Sequence, residues 1–254
     1  MTIRPLPVAL LAALILPVAS PAPITLKYKF TQSFAQTIDL SAVGQEVQSQ
    51  QVTYDAYVAV TAHDSAGGHV VLAKVDSLVP AADADPQITA ALTGALKNAV
   101  DSGFVDAHGE VSGFAAGPAG PGLRGMMQAI YPKMKKGAKP GDAWTDTTSV
   151  TDSSAGGALT RKLITSYTAT AGDKWKGETT LKLVTATSMS ISGTQGGAEL
   201  EGNGRSSSTL TVSRAGHTVT AVSSGDINLT ANTPQAPAPL PIVNKTSSTL
   251  TLLP

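Results

Sequence analysis

Apolar and polar residues alternate with a period of two along most of this chain. Ile24, Leu26, Tyr28 and Phe30 interleave with Thr25, Lys27 and Lys29, so an extended backbone there presents one apolar face and one polar face. Val52, Tyr54, Ala56, Val58 and Val60 repeat the pattern, as do Leu181, Leu183, Thr185, Thr187, Met189 and Ile191 against Lys182, Ser188 and Ser190. Val219 and Ala221 keep parity with Ile227 and Leu229 across Gly225, which marks a bend in one long strand. Leu240, Ile242, Leu250 and Leu252 predict a final strand, entered through the proline-rich loop Pro234 to Pro241. Turn residues separate these runs at Asp64 to Gly68, Gly172-Asp173, Gly193 to Gly197 and Ala215-Gly216. Half-buried antiparallel strands punctuated in this way predict a meander, each strand pairing with the next.

Two segments break the period. Asp85 is a capping residue followed by Pro86 at the first helical position. Ile88, Ala91, Leu92, Ala95, Leu96, Ala99 and Val100 then recur at three- and four-residue spacing, a helical stripe that Gly103 is expected to stop. A second helix is expected from about Leu123 to Tyr131, with Leu123, Met126, Met127, Ile130 and Tyr131 on one side and Pro118, Pro121 and Pro132 around it. Between the helices, Phe104 to Val111 reads as a tight hairpin. The predicted fold is therefore mainly β (α+β): a curved antiparallel meander sheet, half-barrel-like, with two short amphipathic helices on its concave face.

The N-terminus carries Arg4, an apolar run from Leu6 to Ala19 and the small-residue exit Ala19-Ser20-Pro21-Ala22-Pro23, the layout of a secretory signal peptide. A signal peptide over 1–22 and one β-rich domain over 23–254 are expected, with an exported product in the periplasm or outside the cell. The Gly- and Ser-rich stretch Thr151 to Gly157 offers a boundary, but division there would leave each half with a thin core. No later stretch is long and apolar enough for a membrane-spanning helix. The absence of cysteine excludes disulfides, thiolate metal sites and thiol catalysis, so burial and hydrogen bonding must hold the fold. Eighteen basic residues balance eighteen acidic ones, which leaves no electrostatic footprint for nucleic acid. Aromatic residues make up only 4%, too few for the girdles of a transmembrane β-barrel.

The order of strands, two helices, then longer strands resembles the unclosed half-barrel of the periplasmic lipoprotein carriers (the Lol type). His63-Asp64-Ser65-Ala66-Gly67, Asp106-Ala107-His108-Gly109, Lys139-Pro140-Gly141-Asp142-Ala143-Trp144 and Gly202-Asn203-Gly204 are similar to motifs of uncharacterised exported bacterial proteins. The resemblance spans about Ile24 to Leu253. It implies a curved sheet wrapped around helices over an apolar cavity. The chain is longer than the usual carrier and shows no clear basic residue inside its apolar faces, so no carrier site residue transfers to a position here.

Candidate chemistry is sparse. His63 and His69 flank one turn, His108 sits in another and His217 follows Gly216; none has the spacing of a zinc cluster, and His63, Asp64 and His69 offer at most a weak cation clip. There is no Gly-x-Ser-x-Gly elbow and no phosphate-loop frame around Gly117 to Gly122 or Gly202 to Gly204. Asp106 with Glu110, and Glu199 with Glu201, read as turn or strand-surface acids. Lys133, Lys135, Lys136 and Lys139 form the one charge run, a solvated helix end or a spot for anionic headgroups.

No enzyme and no cofactor are expected. The expectation is a non-enzymatic envelope protein that binds a lipid or lipidated ligand, such as a lipoprotein, between sheet and helices. Leu92, Leu96, Met126, Met127 and Ile130 are the candidate cavity residues. A packed module that binds another envelope protein, or an unrecognised hydrolase, are the alternatives.

Overall fold

The alternating segments become strands, and all of them hydrogen-bond into one sheet. A computed structural model of the chain describes residues 23–82, 84–114, 119–154, 156–234 and 236–254. The expected signal peptide and Pro118 lie outside the described residues. In chain order the elements are β1 (Ile24–Ile38), β2 (Gln48–Ser65), β3 (Gly68–Pro80), α1 (Pro86–Leu96), β4 (Val100–Asp106), β5 (Val111–Gly113) and α2 (Gly120–Ile130). Then follow β6 (Ala143–Ser154), β7 (Gly157–Trp175), β8 (Glu178–Gln195), β9 (Ala198–Val212), β10 (Thr218–Asn232) and β11 (Leu240–Leu252).

The sheet runs β5-β4-β3-β2-β1-β11-β10-β9-β8-β7-β6, antiparallel throughout, curved and not closed into a barrel. It consists of two meanders, β1 to β5 and β6 to β11, joined by the first and last strands. Tyr28 lies opposite Leu252 and Ile38 opposite Ile242 along that seam. One pair of consecutive strands departs from the expected order: β5 and β6 are the two free edges, and α2 carries the chain from one to the other.

Period-two alternation puts alternate residues of each strand on one inner face, and the register aligns them into transverse rows. Ala169, Leu183, Leu210, Ala221, Leu250, Phe30 and Ala56 form one such row across β7, β8, β9, β10, β11, β1 and β2. All seven are buried. Leu123, Met127 and Ile130 of α2 and Leu96 of α1 pack on this end of the face, so the core is sheet against helices. Glycines shape the sheet farther along. Gly202 and Gly204 on β9 pair with Leu229 and Ile227 of β10, and a Cβ on either would strike the β10 backbone and those side chains. Side-chain-free positions on one face let neighbouring strands bend toward that side.

Local signals hold in most places and fail in two. Asp85 caps α1 as expected, its Oδ1 accepting from the backbone N–H groups of Gln87 (2.7 Å) and Ile88 (3.2 Å), with Pro86 at the start. The helix stops at Leu96, earlier than Gly103, because Lys97 is extended and Asn98 turns left-handed at φ 59°. Asparagine tolerates that conformation better than most residues, so Asn98 is the stop signal and Val100 opens β4. Gly103 lies in β4 under the ring of Phe114, where a Cβ would collide. Gly172-Asp173 makes no turn; it is a bulge inside β7, with the Thr180 hydroxyl donating to the Asp173 carbonyl. The reversal comes at Lys176-Gly177, both left-handed (φ 48° and 84°), as a two-residue hairpin requires.

A buried relay ties α2 to the sheet. The Tyr28 hydroxyl on β1 donates to the Thr218 carbonyl on β10 (3.0 Å), and the Thr218 hydroxyl donates to the Ala129 carbonyl (2.8 Å). Ala129 is in the last turn of α2, where carbonyls lack intrahelical partners. Tyr28 and Thr218 are both fully buried, and burial raises the Tyr28 hydroxyl pKa far above its ordinary range. Thr218→Val keeps the shape and removes the donor to the half-buried Ala129 carbonyl, so denaturant unfolding should show a loss of about 1 kcal/mol; an unchanged midpoint would mean that the relay holds nothing.

The neighbouring His217 gives the fold a pH dependence. Its ring meets Trp175 edge-on at 5.9 Å, and its Nε2 is buried without a protein partner. Burial first, then the Lys176 ammonium, pushes its pKa below the ordinary 6.5. The unfolded chain therefore takes up a proton that the folded chain resists. The stability this ring contributes is complete above about pH 6.5 and is lost as the pH falls below it. Urea unfolding should give a lower midpoint at pH 5 than at pH 7.5, and His217→Gln should shrink that difference; an undiminished difference in the variant would refute the assignment.

Candidate functional site

The five candidate cavity residues separate into two environments. Leu96, Met126, Met127 and Ile130 are enclosed in the core, with Met127 and Ile130 fully buried. A Cβ on Gly122 of α2 would come within 3.0 Å of the Leu96 side chain, so the two helices meet there. Leu92 is half-buried and opens on a groove of about 380 Å³. Ile88, Ala91, Leu92 and Ala95 of α1 form one wall of this groove, and Phe34 of β1 with Val52 of β2 form its floor. Small alanines along α1 keep the groove open, while Leu92 and Ile88 supply its apolar depth. Gln50 and Gln51 line its polar end.

Beyond the core rows the inner face turns polar. Gln32, Ser248, Ser223, Ser208, Thr185 and Tyr167 lie side by side across β1, β11, β10, β9, β8 and β7. From Gln32 to Thr185 is four strand spacings, roughly 19 Å at ~4.8 Å each. A parallel row of amides borders the groove: the Gln36 Nε2 donates to Asn244 Oδ1 (2.9 Å), and the Gln50 Nε2 donates to Gln36 Oε1 (2.7 Å). The Tyr54 hydroxyl donates to Gln32 Oε1 at 2.8 Å. Phe34 sits between Gln32 and Gln36 on the inner face of β1, so apolar groove and polar floor meet at this residue.

A cavity of about 680 Å³ covers the β7 to β10 part of that floor. Its floor includes Thr165, Thr185, Thr187, Ser208 and Ser223, and Arg124, Gln128, Tyr131 and Pro132 overhang it from α2 and the chain after it. Lys133 enters from the side and pairs with Asp146 at 2.7 Å, a hydrogen bond that raises the lysine pKa. Burial pushes the Tyr131 hydroxyl up to about 12 and also raises Tyr167.

The Lys139-Pro140-Gly141-Asp142 segment has a structural role. It is a tight turn in which the Asp142 N–H donates to the Lys139 carbonyl (3.1 Å), with Gly141 at φ 96°. The turn starts β6 so that Trp144 falls opposite Tyr167, and the rings stack with centroids 4.9 Å apart and planes 4° from parallel. Turn chemistry was visible in the chain; the stacking partner was 23 residues away and set only by register.

The other candidates stay apart. Asp64 bonds His69 Nδ1 at 2.9 Å on an exposed hairpin end, and among the described residues no three His, Cys, Asp or Glu side chains converge as metal ligands. Asp106 spends its carboxylate on the hairpin turn, accepting from the His108 and Glu110 backbone N–H groups. Glu199 and Glu201 are exposed on β9, and Lys135, Lys136 and Lys139 are exposed beyond α2. Among the described residues no helix is long and apolar enough to cross a membrane.

The fold and site define a class: an open, curved antiparallel sheet whose inner face passes from a helix-covered apolar core to a polar, partly roofed trough. No family model matches the chain, and comparison with curated proteins and solved structures returns no match.

The two environments of the candidate residues predict opposite responses to truncation. Met127→Ala should cost about 2–5 kcal/mol by cavity formation, whereas Leu92→Ala should cost well under half as much. Equal losses in denaturant unfolding would show that the groove is closed in solution.

Proposed function

We propose that this chain is an exported, non-enzymatic envelope protein that binds an amphiphilic lipid or lipidated ligand, its acyl chain held between α1 and the β1–β2 floor. The observation that carries this reading is the junction at Phe34, where an apolar groove and a row of amides and hydroxyls share one face of the sheet. A purely apolar ligand would leave the amide border unused, and a purely polar one would leave Ile88, Leu92, Val52 and Phe34 unmatched. Sites for small ligands are concave and mostly apolar, with a few polar groups that fix orientation. The groove has that balance. The resemblance to periplasmic lipoprotein carriers supports the same reading.

A second reading, a packed module that binds another envelope protein, draws on one observation. Leu96, Met126, Met127 and Ile130 fill the space between helices and sheet, and the free edge of β6 offers unpaired backbone groups to a partner strand.

Native mass spectrometry of the protein from its own host, followed by organic extraction, separates the two. The expected result is an extra mass that extracts as lipid, with saturable uptake of a fluorescent acyl probe by the emptied protein. Leu92→Arg should weaken that uptake by about tenfold or more, since a cation would replace the groove's apolar wall. A clean apoprotein mass together with no saturable uptake would overturn the lipid reading in favour of the packed module.

A further inference from the structure

We infer that the polar end of the bound amphiphile is a neutral, polyhydroxylated headgroup, a glycosyl unit, held in the roofed trough over β7 to β10. This rests on the amphiphile reading above and assigns the other half of the ligand. Three observations carry it.

The first is unused hydrogen-bonding capacity. Several hydroxyl side chains elsewhere in the sheet pair across strands, as in Thr25 with Thr61 (3.1 Å), Thr53 with Ser33 (3.0 Å) and Thr151 with Thr160 (3.0 Å). Thr165 and Thr187 at the cavity margin also pair, at 2.9 Å. Thr185, Ser208 and Ser223, neighbours in one row at the middle of the cavity floor, are half-buried. Among the described residues their hydroxyls make no side-chain hydrogen bond. Each is both donor and acceptor, which matches the sugar hydroxyl, itself donor and acceptor.

The second is charge. The floor row from Gln32 to Tyr167 contains no ionisable acid or base apart from the tyrosine phenol. Of the two cations lining the cavity, Lys133 is paired with Asp146 at 2.7 Å, and Arg124 stands at the α2 side, away from the floor row. A phosphate headgroup selects clustered, available Arg or Lys, and the floor of this trough presents neutral donors and acceptors.

The third is shape. Tyr167 closes one end of the row with its ring braced against Trp144, while Tyr131 and Pro132 form an apolar roof. Apolar ring faces above and hydroxyls below suit a sugar ring, which has C–H faces and an equatorial hydroxyl belt. The cavity volume of about 680 Å³ leaves room for more than one such ring.

A series of ligands sharing one twelve-carbon chain tests this on the intact protein: dodecyl maltoside and dodecylphosphocholine, each below its micelle threshold, and dodecanol below its solubility limit. Calorimetric titration should show dodecyl maltoside binding at least about tenfold tighter than either of the others, as expected where a site hydrogen-bonds its ligand's hydroxyls. The combined substitution Thr185→Val, Ser208→Ala, Ser223→Ala should bring maltoside down to the dodecanol level and leave dodecanol binding unchanged. Equal affinity for all three ligands would overturn the glycosyl inference and leave the acyl-groove reading standing. Tightest binding of dodecylphosphocholine would replace the sugar with a phosphate headgroup. Saturable binding of none would overturn both readings. The wild-type series decides the matter by itself if the triple variant does not fold.

Discussion

Everything in this molecule depends on the pairing of its first strand with its last. Without the seam from Tyr28 opposite Leu252 to Ile38 opposite Ile242, the chain would be two separate meanders, each with one more exposed edge. The seam also sets the rows that build the core, because Phe30 joins Leu250 on one side and Ala56 on the other. Closing a contact between the two ends of the chain costs loop entropy that local turns do not, and that cost has to be met before the central core gains its burial. The Tyr28–Thr218–Ala129 relay uses the same centre: it starts on β1, crosses to β10 and ends on α2. The second helix is thereby fixed to the strands that the seam brings together.

The distribution of side chains along the strands then divides the inner face. Near the helices the rows are mostly apolar and enclosed, and a methylene lost there leaves a void. A few residues farther along, the same strands carry Ser, Thr and Gln, and no helix covers all of them. A sheet that continues past its core exposes surface that contributes little to stability. In this protein that surface is concave, partly roofed by α2 and the Tyr131–Pro132 segment, and lies on the same face of the sheet as the apolar groove of α1. The enclosed core and the proposed ligand site thus occupy different stretches of the same inner face.

Much of the fold was legible in the chain because its signals are local. Period-two alternation marked β1, β2, β8, β10 and β11, and Asp85-Pro86 marked the start of α1. The misreadings were also local, between signals of equal kind. Gly103 is the stop that the chain's pattern suggests, but the left-handed backbone at Asn98 ends the helix first. Gly172-Asp173 is the turn that the chain's pattern suggests, but the pairing of Trp175 with Glu178 places the reversal at Lys176-Gly177. Of the candidate site, the helical stripe named Leu92 together with four residues that the core encloses, since a period of 3.6 identifies a face and not what covers it.

The sequence by itself determined that the chain is strand-rich, half-buried, free of disulfides and interrupted by two amphipathic helices, because each of these follows from neighbours a few residues apart. Only the tertiary structure decided that β5 and β6 are the edges, that the ends of the chain meet at the middle of the sheet, and that Thr185, Ser208 and Ser223 stand in one row beneath a roof. Those facts depend on the register between strands far apart in the chain. Register comes from matching whole faces across a sheet, and no short window of residues contains it.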